Sequence, residues 1–133
     1  MTRMRAALRP QTVLLVDDES PWLDAVKMAV EGEKFHVITA NSAEAALRQL
    51  RRKIPDLILS DVRMPEMNGF DLYEKIRKDP KFRNIPYVFM SSIDDFDAKH
   101  TAKQLGADDY VEKPIDTETV KKIVLNLLMR FKK

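Results

Sequence analysis

Leu57-Ile58-Leu59-Ser60-Asp61-Val62-Arg63-Met64-Pro65-Glu66-Met67-Asn68-Gly69 is the stretch that decides the fold. A short apolar run closes on a carboxylate, and a Pro/Asn/Gly turn follows at once. The run reads as a buried strand, which leaves Asp61 at an exposed strand end. In an open α/β sheet that edge is where ligand chemistry takes place. Other runs end in the same manner. Val13-Leu14-Leu15-Val16 closes on Asp17 and Asp18, Asp109-Tyr110-Val111-Glu112 closes on Lys113, and the run from Tyr87 closes on Ser91.

Working outward, strand-like and helix-like segments alternate along the chain. Strands are predicted at Thr12–Val16, Phe35–Ala40, Leu57–Ser60, Tyr87–Ser91 and Asp109–Glu112. Helices are predicted at Pro21–Val30, Ala43–Arg52, Phe70–Lys78, Phe96–Leu105 and Thr117–Phe131. Asn41 or Ser42 opens the second helix, and Asn41 with Glu44 resembles a capping box. Asp79-Pro80 closes the third, Gly106 ends the fourth, and Asp116 caps the last. In that last helix Val120, Ile123, Val124, Leu127, Leu128 and Phe131 follow the i, i+3, i+4 rule. Five strand/helix units predict an α/β fold, a five-stranded parallel sheet with helices on both faces. Its central strands are apolar without alternation, as strands buried on both faces should be. Right-handed crossovers then bring every strand's C-terminal end to one edge. That edge collects Asp17, Asp18, Asp61, Ser91 and Lys113.

Length and composition agree with this frame. A chain of 133 residues with 44% apolar and 33% charged residues fits one soluble domain. There is no cysteine, hence no disulfide framework and no thiolate metal site. No apolar run approaches the roughly 20 residues of a membrane span, and the basic start lacks an apolar signal core. A cytoplasmic location is expected, with no membrane partner. The net charge of +2 hides an asymmetry: eight of the 23 basic residues lie in 1–10 and 121–133, leaving 15 against 21 acids in the body. Residues 1–10 are expected to form a flexible basic extension and 11–133 the domain. The basic ends invite a nucleic-acid reading, but no aromatics interleave with them, and cations are favoured at a helix C-terminus in any case. Nucleic acid is therefore not expected as a partner.

The chemistry of the edge follows from charge. Carboxylates about 4–6 Å apart repel, by roughly 1 kcal/mol per pair in water and about 4 at an effective dielectric of 20. Such a cluster raises a pKa or binds a cation. Oxygen-only ligands at a small, wet site suit Mg²⁺ better than Ca²⁺, and the calcium-loop spacing D-x-[DN]-x-[DN]-G is absent. An anionic phosphoryl group would then be drawn to Asp61, its oxygens held by Mg²⁺, the Lys113 ammonium and the Ser91 hydroxyl. Aspartate is a phosphoryl acceptor in other proteins. Each residue has a plainer explanation taken singly. Asp17-Asp18-Glu19 could be a helix start, Asp61 a turn acid and Lys113 a surface lysine. Their convergence on one edge favours function.

The chain resembles the receiver domain of two-component response regulators. The resemblance rests on Val13-Leu14-Leu15-Val16-Asp17-Asp18-Glu19, Asp61-Val62-Arg63-Met64-Pro65 with Asn68-Gly69, Met90-Ser91-Ser92, and Gly106-Ala107-Asp108-Asp109-Tyr110-Val111-Glu112-Lys113-Pro114. It spans about residues 11–131 and implies a flavodoxin-like doubly wound (βα)5 fold. It further implies that Asp61 takes a phosphoryl group from a histidine kinase or a histidine phosphotransfer protein. Asp18 would be the main Mg²⁺ carboxylate, helped by Asp17 and Asp61 and completed by the backbone carbonyl of Arg63. Lys113 would pair with Asp61 and then with the phosphoryl oxygens. Ser91 would move toward the phosphoryl group and Tyr110 would turn inward behind it. The surface of helix four, strand five and helix five would then meet an output protein or effector domain. The Lys113-Pro114 peptide would be cis. Such a domain is not a conventional enzyme, since it catalyses only its own phosphorylation and dephosphorylation.

Some positions depart from the family's commonest pattern. Ser91 stands where threonine is also frequent. Arg63 and Ile93 occupy two positions that tune phosphoryl lifetime. Ile93 offers no polar group to guide water, so Ile93→Glu should shorten that lifetime, as a phosphoryl decay assay would read. A phosphatase with an aspartate nucleophile would want an acid where Arg63 stands. A flavin module would want a Ser/Thr/Gly-rich phosphate loop where Asp17-Asp18-Glu19 would repel the phosphate. Trp22 reads as packing near the acid pair, where it would also report Mg²⁺ by fluorescence. His36 and His100 are isolated, without metal-ligand partners.

Overall fold

The computed structural model describes residues 10–32, 34–92, 94–113 and 116–131. Most of the basic extension (1–9), Ile93 and the Lys113-Pro114 peptide therefore lie outside the described residues. The elements alternate as β1 Gln11–Val16, α1 Ser20–Val30, β2 Phe35–Ala40, α2 Ala43–Arg52, β3 Leu57–Asp61, α3 Gly69–Lys78, β4 Tyr87–Ser92, α4 Phe96–Gln104, β5 Asp109–Lys113 and α5 Thr117–Arg130. All ten predicted elements are present, with ends shifted by a residue. Asp61 and Lys113 are the last residues of their strands rather than the first beyond them.

The strands form one parallel sheet in the order β2-β1-β3-β4-β5. β1, β3 and β4 are central, and every side chain of β3 is buried. β5 is an edge strand and stays half-exposed. Alternation along each strand divides the core in two. Leu14, Val16, Ile58, Tyr87 and Phe89 face α2, α3 and α4. Val13, Leu15, Leu57, Leu59, Val88 and Met90 face α1 and α5. α5 buries Val120, Val124, Leu127 and Leu128, the stripe its spacing predicts.

Helix ends explain where the chain turns. Ser42, not Asn41, caps α2: its hydroxyl accepts the Ala45 N–H at 3.0 Å. The Asn41/Glu44 box is thus corrected, because with Ser42 as cap the reciprocal position falls on Ala45, which has no carboxylate. The box forms at α3 instead. Asn68 accepts from the Asp71 N–H at 2.9 Å, and Asp71 accepts from the Asn68 N–H at 3.2 Å. α4 ends one residue early, and Gly106, at φ 77°, turns the chain. The Ala107 N–H returns to the Ala102 carbonyl and the Gly106 N–H to that of Lys103, a Schellman closure. Phe96, the first residue of this helix, is 75% exposed; only Ala98 and Ala102 are buried along α4.

The reversal of strand order lies between β1 and β3. β1 leads out to β2, and the chain then crosses back to β3 on the other side. The two connections diverge there and leave a crevice at the C-terminal strand ends. Asp17, Asp18 and Asp61 stand in that crevice.

Candidate functional site

The acids beyond β1 do not serve as a helix cap. Glu19 occupies the N-cap of α1 without a side-chain hydrogen bond, and no acid stands in the first turn. Asp17 instead turns inward, fully buried. Its Oδ1 accepts the Glu19 N–H at 2.9 Å and its Oδ2 accepts from Lys113 Nζ. Asp18 is exposed. Asp61, 7% exposed, accepts the N–H of Val62 at 2.9 Å. Oxygens of Asp17, Asp18 and Asp61 all lie within 4.8 Å of one another.

Lys113 enters this cluster from the far edge of the sheet. Its Nζ bonds Asp17 and lies 3.6 Å from Asp61 Oδ2 and 3.8 Å from Glu19 Oε1. It also stands 4.7 Å from the ring centroid of Trp22, which gives that ring an electrostatic contact beyond packing. Burial pulls the ammonium pKa down, but the Asp17 hydrogen bond and the charges of Asp61 and Glu19 outweigh it and raise it. Asp61 also rises, which for a carboxylate favours the neutral form. Burial pushes it up to about 6; Asp17 and Asp18 add to the rise, and Lys113 and the Val62 N–H oppose it. Asp61 is therefore a carboxylate held at a cost, at the end of a strand that leaves it no freedom to withdraw.

The loop after Asp61 is built tightly. Glu66 adopts a left-handed φ of 66°, a conformation that costs a non-glycine residue about 1–2 kcal/mol. Gly69 starts α3 directly against the strand end. A Cβ there would lie 2.2 Å from the Asp61 carbonyl oxygen. The Gly69 N–H donates to the Val62 carbonyl at 2.9 Å, and its own carbonyl accepts the Tyr87 hydroxyl at 3.0 Å. The position admits glycine because backbone passes over backbone.

Ser91 is buried at the end of β4, beside Asp61 in the sheet, where Asp61 and Met90 are in register. Its hydroxyl does not bond Asp61; it donates to Asp95 Oδ2 at 3.0 Å. Tyr110, on β5, is half-buried against the core that also holds Phe89 and Ala102. Burial, before any other cause, raises its pKa. The Arg63 side chain is 63% exposed and points to Asp95, with Nε–Oδ2 at 2.8 Å and Nη2–Oδ1 at 2.9 Å. This pairing, before any other cause, holds the Asp95 carboxyl well below the usual carboxylate range.

Asp17, Asp18, Asp61, Ser91 and Lys113 thus gather at one sheet edge, with Arg63 in the loop beyond it, while Tyr110 lies three residues before Lys113 on β5, paired with Phe89. Asp95 and Glu19 join them without having been singled out from sequence. A legible signal existed for Asp95, an acid directly before an amphipathic helix. The histidines stay apart, and His36 pairs with Glu31 at 2.8 Å. No helix among the described residues is long and apolar enough to cross a membrane.

Comparisons with known proteins agree with this geometry. The family model for the response regulator receiver domain matches residues 13–125. A 14.6 kDa protein of Leptolyngbya boryana is 32% identical over 93% of this chain and 95% of its own length. The response regulator Rre1 of Synechocystis is 34% identical over 91% of this chain, which spans only 53% of that longer protein. Among solved structures, the chemotaxis protein CheY4 of Vibrio cholerae superposes with a TM-score of 0.79 at 27% identity, covering 89% of this chain and 98% of its own. Parallel strands in this order, the acid cluster at their C-terminal ends and a family match across most of the chain lead to one conclusion: the protein belongs to the response regulator receiver domain family.

Proposed function

We propose that Asp61 is a phosphoacceptor, loaded in a Mg²⁺-dependent reaction by a histidine kinase or a histidine phosphotransfer protein. The observation that carries this is Lys113 Nζ lying 3.6 Å from a buried Asp61 while it bonds Asp17. A structural ion pair would need one carboxylate; here one ammonium lies within 4 Å of three, Asp17, Asp61 and Glu19, with Asp18 alongside. Four carboxylates against one ammonium leave an excess of negative charge, and the donors are all oxygen. That set fits a hard divalent cation. Asp17, Asp18, Asp61 and the Arg63 carbonyl would hold it. When bound, Mg²⁺ supplies the positive charge that lets a phosphoryl group approach this acidic edge.

The chain's own residues do the rest. An Asp61 carboxylate oxygen attacks phosphorus and forms an acyl phosphate. The bond from phosphorus to the donor's imidazole nitrogen breaks, and the imidazole keeps the electron pair. Lys113, whose Nζ lies 3.6 Å from Asp61, neutralises the transferred oxygens in this reading. The Ser91 hydroxyl follows them, and Tyr110 takes up space beside it. Phosphorylation adds charge and acceptor oxygens and biases a two-state equilibrium. The readout is the surface of α4, β5 and α5, where an output protein or effector domain would dock.

Incubation with Mg²⁺ and acetyl phosphate, followed by intact mass beside an Asp61→Asn control, tests this. One Mg²⁺-dependent phosphoryl adduct, absent in the control, is expected. No adduct with either acetyl phosphate or a phosphorylated histidine protein would overturn the proposal and leave an interaction module that works without phosphorylation.

A further inference from the structure

Three groups from three parts of the chain converge on one carboxylate. Asp95 Oδ2 accepts the Ser91 hydroxyl at 3.0 Å. Arg63 grips both oxygens, at 2.8 and 2.9 Å, from the loop that follows Asp61. The Ala98 N–H donates to Oδ1 at 3.1 Å, so the same carboxylate caps α4. A helix cap needs only one oxygen and one N–H. It does not need a buried hydroxyl on its other oxygen or a bidentate guanidinium across both.

We propose that Asp95 is a positioning residue that holds Ser91 in the resting state, so that phosphorylation must win the hydroxyl from it. The inference rests on the reading of Asp61 as the phosphoacceptor. A serine hydroxyl has a single proton to donate. While Asp95 accepts it, no phosphoryl oxygen on Asp61 can. Arg63 belongs to the same contest, because a guanidinium that clamps a carboxylate clamps a phosphoryl group equally well. As Ser91 and Arg63 leave, Asp95 keeps only its bond to Ala98. The carboxylate at the start of α4 thus changes partners as the phosphoryl group arrives. Site and output helix are linked through one side chain rather than through a chain of packed residues.

The alternative is a cap carrying an incidental surface ion pair, and such pairs contribute little. Four proteins separate the two: wild type, Asp95→Asn, Ser91→Ala and the double variant. Each is phosphorylated with acetyl phosphate and Mg²⁺ and followed by intact mass. Asparagine caps a helix as well as aspartate does, so α4 should persist, as circular dichroism would confirm. Asp95→Ser, also a good cap, replaces it if the asparagine variant misfolds. Replacing the charged acceptor by a neutral one should speed phosphorylation about 3- to 10-fold, the scale of the difference between a charge-assisted and a neutral hydrogen bond. In the Ser91→Ala background the same substitution should accelerate the reaction less, by the release of Arg63 alone. A mere loss of negative charge would speed both backgrounds alike. Equal acceleration in both, or no acceleration in either, overturns the proposal. No adduct in any of the four removes the phosphoacceptor reading itself, and the positioning role falls with it.

Discussion

Asp61 carries a cost to stability at a single residue. Its pKa is raised from 3.8 to about 6, chiefly by burial. The folded state therefore binds this proton more tightly than the unfolded state. By linkage, stability falls as pH rises from about 4 to about 6, and the ionised group remains a cost above that. Asp61→Asn should be more stable than wild type at pH 7.5 in metal-free buffer, by on the order of 1–3 kcal/mol. The margin should shrink as pH falls through about 6 and vanish near 4, as denaturant titrations at a series of pH values would show. A margin independent of pH would mean that burial of the charge is not its source. Gly69 carries the opposite constraint, one of space. Gly69→Ala places a carbon 2.2 Å from the Asp61 carbonyl oxygen, and two backbones must part. A loss of about 1–3 kcal/mol is expected, together with slower phosphorylation of Asp61. Retained stability and rate would show that the β3–α3 turn can yield.

Among the elements, α4 is the least anchored. It buries two alanines, whereas α2 buries Ala43, Ala46 and Leu50, and α3 buries Leu72, Tyr73 and Ile76. With roughly 25 cal/mol for each Å² of apolar surface buried, alanine side chains hold a helix far less firmly than leucine and isoleucine do. Its ends are well made, with the Asp95 cap and the Gly106 closure, so the helix keeps its shape while its attachment stays weak. That combination suits an element that moves as a unit. Amide hydrogen exchange in the resting protein should be faster in α4 than in α2. Equal or slower exchange in α4 would locate the movable element elsewhere. The ion pair from Lys99 on α4 to Glu112 on β5, at 3.6 Å, is exposed and adds little to this anchorage.

At the scale of the whole molecule, Lys113 and Asp17 tie β5 to β1, 96 positions apart in the chain. Removing the cation would leave Asp17 buried and charged without its partner. Lys113→Met should lose about 3–5 kcal/mol in metal-free buffer, and millimolar Mg²⁺ should return part of it, since a bound cation stabilises the state that holds it. Thermal melts with and without Mg²⁺ test both halves, and a variant as stable as wild type would show that Asp17 finds other compensation. Much of this was legible in the chain. Apolar runs of strand length located all five strands, and the four closed by an acid, a hydroxyl or an ammonium placed Asp17, Asp61, Ser91 and Lys113 at one edge, because parallel strands share an edge for their C-terminal ends. The acid pair, the β3–α3 turn and the Gly106 closure are local chemistry, set by residues within a few positions of each other. What local chemistry does not contain is long-range pairing. The order β2-β1-β3-β4-β5, the division of α1 and α5 from α2, α3 and α4, and the exposure of Phe96 depend on which faces meet across the sheet. So does the partner of Ser91: a hydroxyl at that strand end has acceptors on either side, and only the docking of α4 and the reach of Arg63 decide that Asp95 takes its proton.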